Sequence, residues 1–171
     1  MYFDKHTISI DDINLIKEIY RNGNENAEES YDIVFNYRVS KERYNTNLVS
    51  SETFFCDLRN EQLVNIVKKY ITLNEKTEYI SNIHYINYQI GEEAKAHVDS
   101  GVSIRTYIIL LNNDFEGGDF YLKDKHIPFS IGEIIEFDAN ILHSVKPIIK
   151  GNREVLVIWV RQSQKSKKSI L

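Results

Sequence analysis

Residues 78–101 read EYISNIHYINYQIGEEAKAHVDSG. The run from Tyr79 to Ile90 is dense in Ile, Tyr and Asn and shows no helical period. β-branched and aromatic side chains fit a pleated surface, so the run predicts a strand. Gly91-Glu92 breaks it, Ala94–Val98 resumes it, and Ser100-Gly101 ends it, as glycine-containing turns do. The stretch therefore predicts two short strands joined by a turn.

The same texture continues toward the C-terminus. Ile104–Leu111, Asp119–Lys123, Glu133–Phe137, Leu142–Ile148 and Glu154–Val160 are further strand candidates. Asn112-Asn113, Gly117-Gly118, Gly132 and Gly151-Asn152 separate them. Many short strands at close spacing point to a sandwich or barrel of the jelly-roll kind. Before residue 78 the pattern is mixed. A short strand precedes a helix that Asp11 or Asp12 caps and Asn22-Gly23 ends, with Ile13, Ile16, Ile19 and Tyr20 on one face. Residues 24–30 are a polar, acidic loop. Tyr31–Val39 and Ser51–Phe55 read as strands, and a second helix is expected over Asn60–Ile71 through Leu63, Ile66, Val67 and Tyr70. The fold class expected is mainly β with flanking helices packed on the outer face. Residues 163–171 read as a polar, solvated tail.

The chain has 171 residues and one natural reading as a single domain: a helical and lid region over about 1–77, a β core over about 78–162, then the tail. Lys plus Arg number 21 against 25 Asp plus Glu, a net charge of −4, which argues against a general grip on nucleic acid. The one cysteine, Cys56, cannot form an internal disulfide and follows Phe54-Phe55, so a reducing compartment and a buried, inert thiol are expected. No signal-peptide pattern or bilayer-length apolar run occurs, so a cytoplasmic protein without membrane contact is expected. The sequence sets no oligomeric state.

His97-Val98-Asp99 carries the chemistry. On a strand, residues i and i+2 project from one face, so an imidazole and a carboxylate are aimed alike. Read alone, His97 is equally a half-exposed strand histidine. His143, after the strand-like Ile134–Asp138, supplies a third ligand. Two histidines and one carboxylate on one face suit non-haem Fe(II) with three positions left open. One cysteine rules out a closed thiolate zinc site. Arg153 lies ten residues beyond His143, past the turn Lys150-Gly151-Asn152. A hairpin placing both at one cavity would let its guanidinium fork hold a carboxylate; read alone, it is a surface charge.

Together these segments resemble the prolyl-4-hydroxylase-like iron(II)/2-oxoglutarate dioxygenases over about residues 79–161. Tyr88-Gln-Ile-Gly91 with His97-Val-Asp99, Leu111-Asn112 with Glu116-Gly117-Gly118-Asp119-Phe120, Pro128 through Gly132 to Phe137, and His143-Ser-Val-Lys-Pro147 with Gly151-Asn-Arg153 and Trp159 occur in the family's order and spacing. The resemblance implies a double-stranded β-helix (jelly roll, cupin-like), Fe(II) held by His97, Asp99 and His143, and 2-oxoglutarate as co-substrate with its distal carboxylate on Arg153. It also implies Tyr88 at the oxo-acid pocket, dioxygen as oxidant and L-ascorbate as an accessory reductant. Core packing is the alternative for Tyr88, and for Trp159, which shares a strand face with Arg153, Val155 and Val157 and otherwise walls the site. The chain departs from the pattern at Ala94, where many relatives carry an aromatic, and at Leu110, where many carry a tyrosine. Thr106, on the face of Leu110, is placed to replace the missing hydroxyl at the co-substrate. The carboxylate at Asp99 implies hydroxylation rather than halogenation.

The resulting expectation is a dioxygenase that hydroxylates a C–H bond, a peptidyl residue first and proline foremost. A free amino acid or small metabolite is the alternative substrate, and a non-catalytic cupin-like metal-binding module the alternative class. Residues 24–50, with Arg38, Lys41, Arg43 and Tyr44, are read as a lid. Glu92, Glu93 and Asp119 are read as solvated charges, and His6, His84 and His126 as lacking partners at ligand spacing.

Overall fold

Ile109 and Leu110 are neighbours in the chain but face opposite cores, and that alternation organises the molecule. Tyr107 and Ile109 join Leu156 and Ile158 against the helices, whereas Ile108 and Leu110 join Val155 and Val157 against a second sheet. A strand with apolar residues at every position is buried on both faces, and the central strands here are of that kind.

A computed structural model describes residues 3–25, 39–56 and 58–163. Its elements in chain order are β1 (Phe3–Thr7), α1 (Ile10–Glu25), β2 (Val39–Asn45), β3 (Ser50–Cys56), α2 (Glu61–Lys68), β4 (Glu78–Tyr88), β5 (Ala94–His97), β6 (Arg105–Leu110), β7 (Glu116–Gly117), β8 (Phe120–Leu122), β9 (Lys125–Ile127), β10 (Glu133–Asp138), β11 (His143–Val145), β12 (Ile148–Lys150) and β13 (Arg153–Gln162). They form a seven-stranded sheet in the order β1-β10-β6-β13-β4-β3-β2, a four-stranded sheet β5-β11-β8-β9, and the pair β12-β7. The two larger sheets enclose a core that includes Tyr88, Ile108, Phe120, Leu122, Phe137 and Val145. Both helices pack on the outer face of the seven-stranded sheet, through Ile16, Ile19 and Tyr20 of α1 and Leu63 and Val67 of α2. This is the expected jelly roll with flanking helices.

Several local details differ from the sequence reading. Ser9, not Asp11 or Asp12, caps α1: its hydroxyl accepts from the Asp12 amide at 3.2 Å, which puts both aspartates inside the first turn. The helix also runs through Asn22-Gly23 to Glu25. Asn60 caps α2 through Leu63 N at 3.1 Å, and that helix ends at Lys68, three residues before the expected Ile71. The strand expected over Leu142–Ile148 is split into β11 and β12 around Lys146-Pro147, where proline offers no amide to a ladder. Residues 39–45, taken as part of a lid, form an edge strand on β3. Arg38, the strand expected over residues 31–38 and the tail beyond residue 163 lie outside the described residues, as do the side chains of Lys41, Arg43 and Tyr44. Cys56 is half-buried against the helical core rather than fully enclosed. Among the described residues no helix is long and apolar enough to cross a membrane.

The turn before β13 positions the functional end of that strand. Gly151 has φ +72°, and a Cβ there would come 2.3 Å from the Asp114 carbonyl oxygen. Only glycine meets both demands.

Candidate metal centre

β5 and β11 pair antiparallel with His97 and His143 directly opposite, and their rings lie 4.3 Å apart. Each ring is steered by its own backbone. His97 Nδ1 is 2.7 Å from Lys95 O, and His143 Nδ1 is 3.0 Å from Ile141 O. A carbonyl oxygen only accepts, so each Nδ1 is the donor, which leaves each Nε2 as the ring atom turned to the shared space. Burial, with His97 nearby, holds His143 below the ordinary histidine range despite the opposing pull of Asp99 and the Ile141 carbonyl. The neutral, ligand-competent form is thus the resting one.

Asp99, just past β5, completes the group. Its amide donates to Ala139 O at 2.9 Å, and its own carbonyl closes a turn with Val102 and Ser103. Oδ2 accepts from Thr106 Oγ1 at 2.8 Å and from Trp159 Nε1 at 3.2 Å. Oδ1 faces His97 Nε2 at 3.8 Å and Oδ2 faces His143 Nε2 at 3.6 Å, separations too long for hydrogen bonds. All three donor atoms lie within 4.8 Å of one another.

Three metal-ligating side chains thus converge without a hydrogen bond between them, an arrangement that a cation would complete. Two donors each about 2.1 Å from one ion, at 90–120°, stand roughly 3.0–3.6 Å apart. The observed spacings are at or slightly above that range, and the donation of each Nδ1–H to a backbone carbonyl is the usual arrangement behind metal-bound histidines. The residues fit a divalent metal with open positions.

The group borders a cavity of 320 Å³ between the two sheets, whose wall includes Tyr88, His84, Thr106 and Trp159. Arg153, first residue of β13, is 2% exposed and is the one buried cation among the described residues. It is not itself in the cavity wall. Its guanidinium carbon lies 5.7 Å from the centroid of the Tyr88 ring, which is, and 5.8 Å from that of Phe129. Gly118, at φ +67°, makes room for it, since a Cβ there would come 2.9 Å from Arg153 Cδ. No carboxylate among the described residues pairs with Arg153; burial pushes it down to about 10, with Tyr88 opposing. Burial likewise pushes the Tyr88 hydroxyl up to about 12. The link between His143 and Arg153 is not the simple hairpin expected. β11 and β13 belong to different sheets, and β12 intervenes.

No family model matches the chain. A PKHD-type hydroxylase of Prochlorococcus marinus (strain MIT 9515) is 32% identical over 101 residues, 53% of this chain and 42% of that relative. The chain spans under two thirds of the length of the curated relatives it matches. Among solved structures, the viral collagen prolyl hydroxylase of Paramecium Bursaria Chlorella virus-1, in its 2OG complex, superposes with a TM-score of 0.67 at 13% identity, covering 95% of this chain and 97% of that one. A prolyl hydroxylase of Trichoplax adhaerens, in complex with a hypoxia inducible factor peptide fragment, gives 0.63 at 12% identity, covering 92% and 82%. The chain resembles the prolyl-4-hydroxylase-like 2-oxoglutarate dioxygenases in sequence and in fold. The structural likenesses speak to the double-stranded β-helix; the sequence likeness covers half of the chain.

Against that background the expected site residues fall as follows. His97, Asp99 and His143 come together, Tyr88 lines the cavity beside Arg153, and Trp159 is both wall and hydrogen-bond donor. Thr106 differs from expectation: its hydroxyl proton goes to Asp99, so it holds the carboxylate rather than presenting that proton to a co-substrate. Glu92 is buried, not solvated, because its carboxylate accepts from the Gln89 amide at 2.9 Å.

Sequence reading missed His84, which lines the cavity and is 5% exposed. Its Nε2 has no hydrogen-bond partner among the described residues, and burial holds it down to about 4 from the ordinary 6.5, Asp99 opposing. The signal was available, since His84, Ile86 and Tyr88 alternate onto one strand face. A consequence follows for acid stability. The unfolded chain takes up a proton near pH 6.5 that native His84 refuses until about pH 4. This contribution is complete above pH 6.5 and is lost as pH falls through that window. Between pH 7 and pH 4.5 His84 should therefore account for about 2 kcal/mol of lost stability. Urea unfolding of His84→Leu at the two pH values should show a pH dependence smaller by that amount; an unchanged one would contradict the assignment.

Proposed function

We propose that the chain is an Fe(II)- and 2-oxoglutarate-dependent dioxygenase that hydroxylates a C–H bond, with its working residues concentrated in 78–162. The observation that carries the reading is the convergence of three metal-ligating side chains, His97, Asp99 and His143, within 4.8 Å beside a cavity. His97 Nε2, His143 Nε2 and Asp99 would hold the metal. Bound there, Fe(II) supplies the activation of dioxygen that couples decarboxylation of 2-oxoglutarate, to succinate and carbon dioxide, with substrate hydroxylation.

The protein's part is positioning. The Lys95 and Ile141 carbonyls fix the tautomer and orientation of the two imidazoles. Thr106 and Trp159 hold Asp99 Oδ2. Arg153, buried beside Tyr88 and without a carboxylate of its own among the described residues, is the group that would take the distal carboxylate of 2-oxoglutarate. The apolar walls around it exclude water and strengthen that pairing.

A peptidyl residue is the substrate we favour, in keeping with the peptide that the Trichoplax adhaerens relative binds. The test is ligand-linked stability. With Mn(II) in place of iron, 2-oxoglutarate at about a hundred times its Kd should add about 2.7 kcal/mol of stability. Without metal it should add almost nothing. Equal stabilisation in both cases would overturn the reading, and so would the lack of succinate when Fe(II) and a substrate panel are supplied.

A further inference from the structure

We propose that His84 forms a hydrogen-bonding subsite for an uncharged polar group of the primary substrate, an amide in the first instance, at the Trp159 end of the cavity. The inference rests on the functional reading above and narrows its substrate class.

The first observation is an unused polar group. His84 is 5% exposed, lines the cavity, and its buried Nε2 has no hydrogen-bond partner among the described residues. Phe55 and Trp159 clamp the ring edge-on, with centroids at 4.4 and 4.6 Å, so its direction is set by packing. A buried polar atom left unpaired costs about 1–3 kcal/mol, and such atoms cluster where a ligand completes them. The second observation is its isolation. The buried Ser51 and Thr53 line the same wall, with hydroxyl oxygens 3.2 Å apart, but the β3–β4 register sets Phe55 opposite His84 and Thr53 opposite Ile86, so that pair stands toward Tyr88.

The place of His84 on β4 assigns it to the primary substrate. Tyr88 lies opposite Arg153 in the β4–β13 register, at the end that would hold the oxo-acid. His84 is four residues away on the same strand face, about 13 Å at 3.3 Å per residue. Trp159, against which His84 packs, donates to Asp99, so His84 adjoins the metal group through that ring. The two ends of the β4 strand face thus offer different chemistry: a cation beside Tyr88 at one, the unpaired imidazole of His84 at the other.

Charge decides the class of occupant. Among the described residues of the cavity wall, Asp99 is the one charged side chain that is not a histidine, and it belongs to the metal group. A free amino acid would bring an ammonium and a carboxylate into that wall with no partner for either, which is strongly unfavourable. A peptidyl residue brings neutral N–H and C=O groups. A neutral imidazole carries one donor and one acceptor, the complement of an amide.

The experiment uses the whole chain loaded with Zn(II), which is diamagnetic and redox-inert, with and without 2-oxoglutarate. The probes are a panel of N-acetyl amino acid amides, proline included, and the same amino acids free. Binding is read by calorimetry and by the 15N–1H correlations of the His84 ring, assigned by their loss in His84→Gln. At least one amide should bind, shift the His84 signals and outcompete its free amino acid. His84→Phe should weaken that amide about five- to ten-fold, and His84→Gln, which keeps a donor and an acceptor, should recover most of the loss. Failure of every amide to bind, stationary His84 signals at saturation, tighter binding of the free amino acids, or full affinity in His84→Phe would each overturn the subsite. Should 2-oxoglutarate fail to bind while an amide still moves His84, the co-substrate reading falls and the subsite stands.

Discussion

Arg153→Met should fold more stably than the parent chain and lose 2-oxoglutarate. Both halves follow from one fact: the guanidinium is 2% exposed and pairs with no carboxylate among the described residues. Burial that pushes an arginine from 12.5 down to about 10 corresponds to roughly 3 kcal/mol of penalty on the charged form. The faces of Tyr88 and Phe129, 5.7 and 5.8 Å away, return part of that through cation–π attraction. Methionine has a similar stem and no charge, so the net gain should be about 1–2 kcal/mol, or a few degrees in Tm for a chain of this length. Replacing a buried charge by an apolar side chain stabilises folds for the same reason.

The functional half is larger. A dicarboxylate entering a dry cavity exchanges its hydration for a bidentate, charge-assisted pair, and loss of one partner of a buried pair costs about 3–5 kcal/mol. The Kd for 2-oxoglutarate should therefore rise roughly 10²–10³-fold in Arg153→Met, while metal affinity, set by His97, Asp99 and His143, changes little. Arg153→Lys, which keeps the charge and loses the fork, should fall between. Calorimetric titration of the Mn(II)-loaded variants checks this. A less stable Arg153→Met with unaltered 2-oxoglutarate affinity would mean that the arginine is a structural element of the Tyr88–Phe129 cluster and nothing more.

The portions of this site that sequence made legible are those governed by local geometry. His97 and Asp99 share a direction because strand side chains repeat every two residues, and Arg153 begins a strand because Gly151 must turn there. The sheet to which each strand belongs is set by partners far along the chain. So the fact that β11 and β13 lie in different sheets, with the cavity between them, was not readable from their ten-residue separation. The bond from Thr106 to Asp99 was not legible, because it depends on β6 and the end of β5 meeting across the two sheets. His84 was passed over because it was tested only against ligand spacing. The face it shares with Tyr88 is a local property and would have placed it in the cavity. Glu92 was misjudged because an acidic residue beside a glycine turn is usually solvated, whereas here it satisfies an amide three residues back.

His143→Ala should abolish turnover without unfolding the protein. The residue sits in β11, whose backbone is laddered to β5 on one side and β8 on the other, and none of those bonds passes through the imidazole. Its one side-chain hydrogen bond, to Ile141 O, is local. In the metal-free protein, removing the ring also removes a lone pair facing Asp99 at 3.6 Å, which offsets part of the packing lost against Phe137 at 4.9 Å. The metal-free variant should thus stay within about 2 kcal/mol of the parent. With the metal the contrast is large. Two of three donors remain, affinity falls steeply, and succinate production should drop by on the order of 10³-fold or more. The stabilisation by Mn(II) plus 2-oxoglutarate should vanish with it. His126→Ala is the matched control: that histidine is exposed, lies 3.8 Å from the exposed Asp119, and has no contact with the cavity. If His143→Ala kept turnover within tenfold of the parent, or kept its metal-dependent rise in Tm while His126→Ala lost it, the histidine pair across β5 and β11 would not be the metal's holder.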